Sequence, residues 1–242
     1  MSKTDDIYAN PLDQVDTFRF DQKVVEVFPD MIKRSVPGYT TIIDGIGQLA
    51  KKYVQPNSRI YDLGCSLGAA TLAIRQAITV PDCQIMAVDN SKAMIERCQS
   101  IQSGYNFETP VDVQEADIND IEFENASFVV LNFTLQFLPR DQRQNLINKI
   151  YSGLNDGGAL VLSEKLTMGF SEIDQNIIDI HHNFKKQNGY SDMEIAQKRA
   201  ALENVLIPDT REQHYQRFKS AGFSQYDTWF QYYNFASLIA VK

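Results

Sequence analysis

The stretch Arg59 to Gln76, RIYDLGCSLGAATLAIRQ, sets the reading of the whole chain. Apolar residues run up to Asp62, small ones fill Gly64 to Ala70, and an amphipathic pattern begins at Thr71 with Leu72, Ile74 and Ala77. That order predicts a strand, a tight turn and a helix. Gly64 and Gly68 leave the intervening backbone bare, so its amides and the positive end of the helix can meet an electron-rich ligand closely. The spacing is GxxxG, not the GxGxxG that cradles a pyrophosphate, and it suits a ligand without phosphates. Taken alone, such a turn is as often structural as functional.

Outward from it, strands alternate with helices. RIYDL, QIMAVD, VDVQEA, SFVVLNF and GALVLSE read as strands, and helices start near Gly68, Ser91 and Arg140. Short, nearly continuous apolar strands between helical patterns predict a parallel sheet covered on both faces. Upstream, Asp21 caps a helix through VVEVFPDMIKRS, which tolerates Pro29 in a first turn or as a kink, and TIIDGIGQLAKKYV forms a second helix closed by Pro56. After the fifth strand, SEIDQNIIDIHHNFKKQ and SDMEIAQKRAALENV supply two helical stretches where one crossover suffices. Residues 167–208 are therefore expected as an insertion that shapes the substrate site. TREQHYQRFKSAGF predicts a helix stopped by Gly222, and SQYDTWFQYY and FASLIAVK an antiparallel hairpin. The expected organisation is an arm over 1–19, either flexible or docked, then one domain over 20–242 whose first part, 20–56, is helical.

Composition narrows the function. A chain of 242 residues fits one α/β domain. A net charge of −8 without a long basic run argues against holding a polynucleotide and favours a small-molecule substrate. No stretch reads as a secretory signal or membrane span, so a cytoplasmic location is expected. Cys65, Cys83 and Cys98 are odd in number and lack CxxC spacing, which predicts buried thiols, not disulfides or zinc. His181 and His182 point in different directions on a helix with no third ligand suitably spaced, so no metal is expected. Trp229 and the aromatic run through Tyr233 are expected to pack the sheet or an interface.

The strand tips carry the chemistry. Asp89 ends the second strand, where a carboxylate can accept both ribose hydroxyls. Asp117, after the third, can accept from an adenine amine while Ile118 lies on the ring, and Asn132, at the tip of the fourth, can hold an amino-acid portion. Singly, each aspartate reads equally well as a helix cap. Together they describe adenosine with a charged, phosphate-free tail, which is S-adenosylmethionine. The expected fold is α/β, the Rossmann-like class I S-adenosylmethionine-dependent methyltransferase fold, mostly parallel and ending in an antiparallel hairpin.

FPDMIKRSVPGY (28–39), YDLGCSLGAAT (61–71), VVLNFTLQFL (129–138), ALVLSEK (159–165) and NGYSDMEIAQKRAALENV (188–205) are more specific than that general pattern. From Phe20 onward the chain resembles the carboxy-S-adenosyl-L-methionine synthase family. The resemblance implies conversion of S-adenosylmethionine and prephenate to carboxy-S-adenosylmethionine, phenylpyruvate and water. The product would supply a downstream enzyme that carboxymethylates 5-hydroxyuridine at the tRNA wobble position, so this chain itself need not grip RNA. A homodimer is also implied. Carried over by residue, the cofactor contacts fall on Tyr39, Gly64, Cys65, Ser66, Asp89, Asn90, Asp117, Ile118 and Asn132, with Arg199 on the added carboxylate from its own or a neighbouring subunit. The departures are Asn155-Asp156-Gly157-Gly158, where relatives often have proline second, and Ala116 before Asp117. The segment before Phe20 matches poorly and is given no role.

The implied chemistry makes the sulfonium methyl carbon a nucleophile. Prephenate decarboxylation aromatises the ring and expels hydroxide, which removes a methyl proton, and the resulting ylide traps the carbon dioxide. Positioning and water exclusion then suffice. NFTLQF offers Asn132 and Gln136 where many methyltransferases place a charged residue or a base. Arg199 suits bidentate carboxylate binding, although QKR in a mixed helix by itself reads as a solvated face. Tyr39 follows SVPG, where it closes over the cofactor or simply packs between helices. The rival readings are an ordinary S-adenosylmethionine-dependent methyltransferase on a small acceptor and a non-catalytic cofactor-binding module. The missing pyrophosphate loop disfavours an NAD-linked dehydrogenase.

Overall fold

Alternate side chains of the central strands enter two different apolar clusters, which forces helices onto both faces of the sheet. The structure, a computed structural model, describes residues 3–242; Met1 and Ser2, the start of the expected arm, lie outside the described residues. Strands β1 (Arg59–Leu63), β2 (Gln84–Asp89), β3 (Val111–Glu115), β4 (Ala126–Asn132), β5 (Leu154–Lys165), β6 (Gln225–Tyr232) and β7 (Phe235–Val241) form one sheet in the order β3-β2-β1-β4-β5-β7-β6. All pairings are parallel except those of β7 with β5 and β6. Strand order reverses between β1 and β4, so the carboxyl ends there open a crevice.

Helices α2 (Tyr39–Tyr53) and α3 (Ala69–Ala77) cover one face, where Ile42, Ile46 and Ile74 meet Ile60, Phe128 and Val130. On the other, α5 (Arg140–Gly153) and α8 (Arg211–Ala221) bring Leu146, Ile150 and Phe218 against Leu63, Leu131 and Leu162. Helix α1 (Gln22–Ser35), capped by Asp21, runs through Pro29. The fifth strand begins earlier than its apolar run, at Leu154, with an irregular register against β4. The hairpin closes through Tyr233 at φ 53°. A bulge between Thr228 and Phe230 turns Trp229 and Phe230 together onto α2. A Cβ at Gly45 would lie 2.2 Å from the Trp229 ring, so the indole packs on bare backbone.

Within the described part of the expected arm, residues 3–19, several side chains and amides contact the rest of the chain. Asp5, Tyr8 and Phe18 are buried, and the Phe18 amide donates to the Ala201 carbonyl at 3.0 Å. Gln197 Nε2 donates to the carbonyls of Tyr8 and Asn10, both at 3.0 Å. These partners sit on α7 (Asp192–Leu202), which with α6 (Ser171–Gln187) makes up the expected insertion. Arm, α1, α6 and α7 thus stand together above the crevice. No helix among the described residues is long and apolar enough to cross a membrane.

Candidate functional site

The crevice holds a cavity of about 370 Å³, within the size range of small-ligand sites. Its floor is the turn after β1. Gly64 and Gly68 both have positive φ, 74° and 79°, and neither has room for a side chain: a Cβ would lie 2.3 Å from Thr134 Oγ1 at the first and 2.6 Å from Gln102 Nε2 at the second. Ser66 and Phe133 also take positive φ, 48° and 62°. For a phenylalanine this is a strained conformation, and it occurs at the tip of β4, where the chain turns into the site.

The turn is fixed from below. Asp62, buried in β1, accepts from the Thr71 amide at 3.0 Å and from Thr71 Oγ1 at 2.5 Å. Burial pushes its carboxyl up to about 6, against the pull of the Thr71 bonds. Asp89 Oδ2 accepts from the Ser66 amide and Oδ1 from the Ser91 amide, each at 2.9 Å. Burial raises its pKa, while the Ser91, Ser66 and Asn90 amides oppose the rise. A carboxylate offers about four acceptor positions, so Asp89 keeps capacity for two hydroxyls. Asp117 Oδ1 caps a short 3-10 turn by accepting from the Asn119 amide at 2.8 Å, and Ile118 beside it is buried. Asn132 Oδ1 is buried and meets no donor among the described residues. A buried amide oxygen without a donor is costly, and here it borders a cavity that a cationic ligand group can enter.

The cavity brings together Tyr39, Gly64, Cys65, Ser66, Asp89, Asn90, Asp117, Ile118 and Asn132. Arg199 stands apart: it is exposed on α7 and does not line this cavity. Its charge still reaches the rim, where it helps lower the pKa of Lys165, His182 and Lys185. Cys65 is unsuited to act as a nucleophile, since its neighbour Cys98 and then burial raise its pKa well above normal. Gln136 holds the loop after β4 to β5 by accepting from the Lys165 amide at 2.9 Å.

Several lining residues were given no site role by the sequence reading: Asp62, Phe20, Lys165, His181, Lys185 and Lys198. Lys165 ends β5 at the same rim as Asn132, so the strand-tip rule that singles out Asp89 applies to it equally. His181 is buried, not a surface residue. Its Nε2–H donates to the Ser35 carbonyl at 2.7 Å, and burial, followed by the charge of Lys185, pushes its pKa down to about 3.

A family model described as a methyltransferase domain matches residues 60–158. The chain is 56% identical over 241 residues to the carboxy-S-adenosyl-L-methionine synthase of Vibrio campbellii, covering 100% of this chain and 98% of that protein. It is 58% identical over 241 residues to the synthase of the same name from Shewanella piezotolerans, covering 100% and 99%. Among solved structures it resembles magnesium protoporphyrin IX methyltransferase from Synechocystis with bound SAH, at TM-score 0.60 and 16% identity over 88% of this chain and 86% of that one. Human N-acetylserotonin methyltransferase in complex with SAM gives TM-score 0.60 and 16% identity over 91% and 55%. At such identities the structural likeness is one of fold.

Proposed function

The chain belongs to the carboxy-S-adenosyl-L-methionine synthase family, and we propose that it converts S-adenosyl-L-methionine and prephenate to carboxy-S-adenosyl-L-methionine, phenylpyruvate and water. The observation that carries this reading is the donorless Asn132 Oδ1, set in the same cavity as the carboxylates of Asp89 and Asp117. On this reading it accepts from the ammonium of the methionine portion, with Asp89 on the ribose hydroxyls and Asp117 and Ile118 on adenine. Gly64, Cys65, Ser66 and the neighbouring Asn90 line the nucleoside path, and Tyr39 closes over it; contrary to the expectation of a bare backbone, the Gly64 and Cys65 amides donate to the Val88 carbonyl at 2.8 and 2.9 Å and the Ser66 amide to Asp89.

Both small molecules are substrates. Prephenate loses its ring carboxylate as carbon dioxide and its hydroxyl as hydroxide; the hydroxide takes a proton from the sulfonium methyl to give water, and the ylide carbon bonds to the carbon dioxide. The sulfonium stabilises the adjacent carbanion, and the protein contributes alignment and dryness. Retaining the carbon dioxide requires a closed cavity, which agrees with the docked arm and with the aromatic side chains of Phe18 and Phe20 along its wall.

Arg199 is exposed and does not line its own cavity, so its role on the new carboxylate fits a homodimer in which one protomer supplies it to the other. In the cytoplasm the product would serve a separate enzyme that carboxymethylates 5-hydroxyuridine at the tRNA wobble position. The test is incubation with both substrates and mass spectrometry of the nucleoside product. A species heavier than S-adenosylmethionine by one carbon dioxide, formed together with phenylpyruvate, is expected. S-adenosylhomocysteine and a methylated acceptor would instead identify an ordinary methyltransferase, and binding without turnover a non-catalytic module.

A further inference from the structure

Away from the nucleoside end, the cavity wall changes character. Tyr39, Phe133, Phe235 and His181 form a row of rings, with centroids 6.3 Å apart for the first pair, 6.0 Å for the second and 4.8 Å for the third. Three ammonium groups border the same space, those of Lys165, Lys185 and Lys198. Lys198 is neutralised, with Nζ 3.3 Å from Asp5 Oδ2 and 3.2 Å from Ser35 Oγ. Neither Lys165 nor Lys185 has an ion-pair or hydrogen-bond partner for its amine among the described residues. Both are held there by backbone. Lys165 is paired with Phe235 across the β5–β7 ladder, and Lys185 lies one turn beyond His181 on α6. Half-buried ammonium groups of like charge are unfavourable neighbours unless an anion joins them.

We propose that Lys165 and Lys185 form the subsite for the 2-oxo acid carboxylate of a cyclic dicarboxylic co-substrate, whose ring lies against Phe133 and Phe235. This rests on the reading of the site as one that carboxylates a sulfonium methyl group. The assignment to the 2-oxo acid arm follows from the chemistry. A carboxylate paired with cations in the ground state is stabilised against loss of carbon dioxide, so the lysines belong on the carboxylate that survives in the product. The departing ring carboxylate is then left among the aromatic side chains, where the uncharged carbon dioxide is better accommodated than its anion. Burial lowers the pKa of both amines, followed by the charge of Arg199 for Lys165 and by the charges of Lys198, Lys165 and Arg199 for Lys185, as expected for a cationic site that is incomplete without its anion.

The test is calorimetric titration of phenylpyruvate, which keeps the 2-oxo acid, into protein loaded with S-adenosylhomocysteine. Wild type is compared with Lys165→Met, Lys185→Met and Lys185→Arg. Each methionine variant is expected to weaken phenylpyruvate about tenfold or more, and arginine to restore it to within about threefold, while S-adenosylhomocysteine affinity stays within about twofold as the check on folding. Equal phenylpyruvate affinity in the methionine variants, or no binding to wild type, overturns the assignment. Steady-state assays with prephenate separate this from the reaction itself. Carboxylated product formed with a wild-type KM for prephenate in both methionine variants would defeat the subsite and leave the reaction standing. Lysine-dependent phenylpyruvate binding without any carboxylated product would defeat the reaction and leave the subsite standing.

Discussion

The Ser66 amide donates to Asp89 Oδ2 at 2.9 Å, so the turn after β1 is tied to the tip of β2 by the residue expected to hold the ribose. One carboxylate both shapes the floor of the cavity and, in the proposed function, receives the ribose hydroxyls. Removing it therefore acts twice. Asp89→Ala is expected to weaken S-adenosylhomocysteine by about tenfold to a hundredfold, the range for hydrogen bonds to a charged group. Asp89→Asn, which keeps one acceptor oxygen, is expected to lose less. Calorimetric titration checks both, and an alanine variant that binds as wild type contradicts the role.

Gly64 and Thr134 are a steric pair, since a Cβ at Gly64 would lie 2.3 Å from Thr134 Oγ1, which itself donates to the Leu63 carbonyl at 2.9 Å. Gly64→Ala also forces alanine into a left-handed conformation, at a cost of about 1–2 kcal/mol before any clash. Urea unfolding of Gly64→Ala, Thr134→Ala and the double variant is expected to give a coupling of about 1 kcal/mol or more, with the double variant less damaged than the sum. Additive losses would show that the contact is not felt.

The docked arm makes a prediction about stability. Asp5 and Lys198 are both buried, and Tyr190 Oη donates to the same Asp5 oxygen that faces the lysine. Asp5→Ala leaves a buried ammonium without its counter-charge and is expected to cost about 3 kcal/mol. Asp5→Ala combined with Lys198→Met should recover most of that loss. Urea unfolding measures both, and limited proteolysis should cut residues 3–20 faster in the single variant. An arm equally protected in that variant would contradict the role given to the pair.

Lys185 supplies a pH dependence. Burial foremost, then the charges of Lys198, Lys165 and Arg199, push it down to about 7, with Asp5 pulling the other way. His181, held neutral, and His182 also face it. The unfolded chain keeps this proton up to the ordinary lysine value of 10.5. Between about 7 and 10.5 the unfolded state therefore holds more protons, and stability rises with pH in that window; below it both states are protonated and this slope vanishes. Lys185→Met is expected to remove the rise, as read by urea unfolding across the window. Prephenate affinity should fall as pH rises through about 7, and an affinity constant from about pH 6 to about pH 9 would contradict the lysine assignment.

The sheet was legible because β1, β4 and β5 bury both faces and so appear as continuous apolar runs, and because Gly64 and Gly68 mark a turn that excludes side chains. Asp89, Asp117 and Asn132 were legible for a related reason: in a parallel sheet every strand tip points to one rim. The cationic end was hidden because it is assembled from distant parts of the chain. Lys185 reaches the rim of β5 only when the insertion folds back, and Lys198 is turned inward by an aspartate near the start of the chain. Arg199 and Lys198 are adjacent, yet about 100° of helical rotation puts one outside and the other in the cavity. The arm was hidden too, since Asp5, Tyr8 and Phe18 have no periodic pattern and are ordered by contacts with α7.

The account depends on prephenate giving up its ring carboxylate to the sulfonium methyl carbon within one closed cavity. A single turnover with prephenate bearing a heavy-carbon label in that carboxylate, in unlabelled bicarbonate buffer, addresses this directly. The label is expected in the new carboxylate of the nucleoside product, with phenylpyruvate unlabelled. An unlabelled carboxylated product, or S-adenosylhomocysteine in its place, would contradict the account.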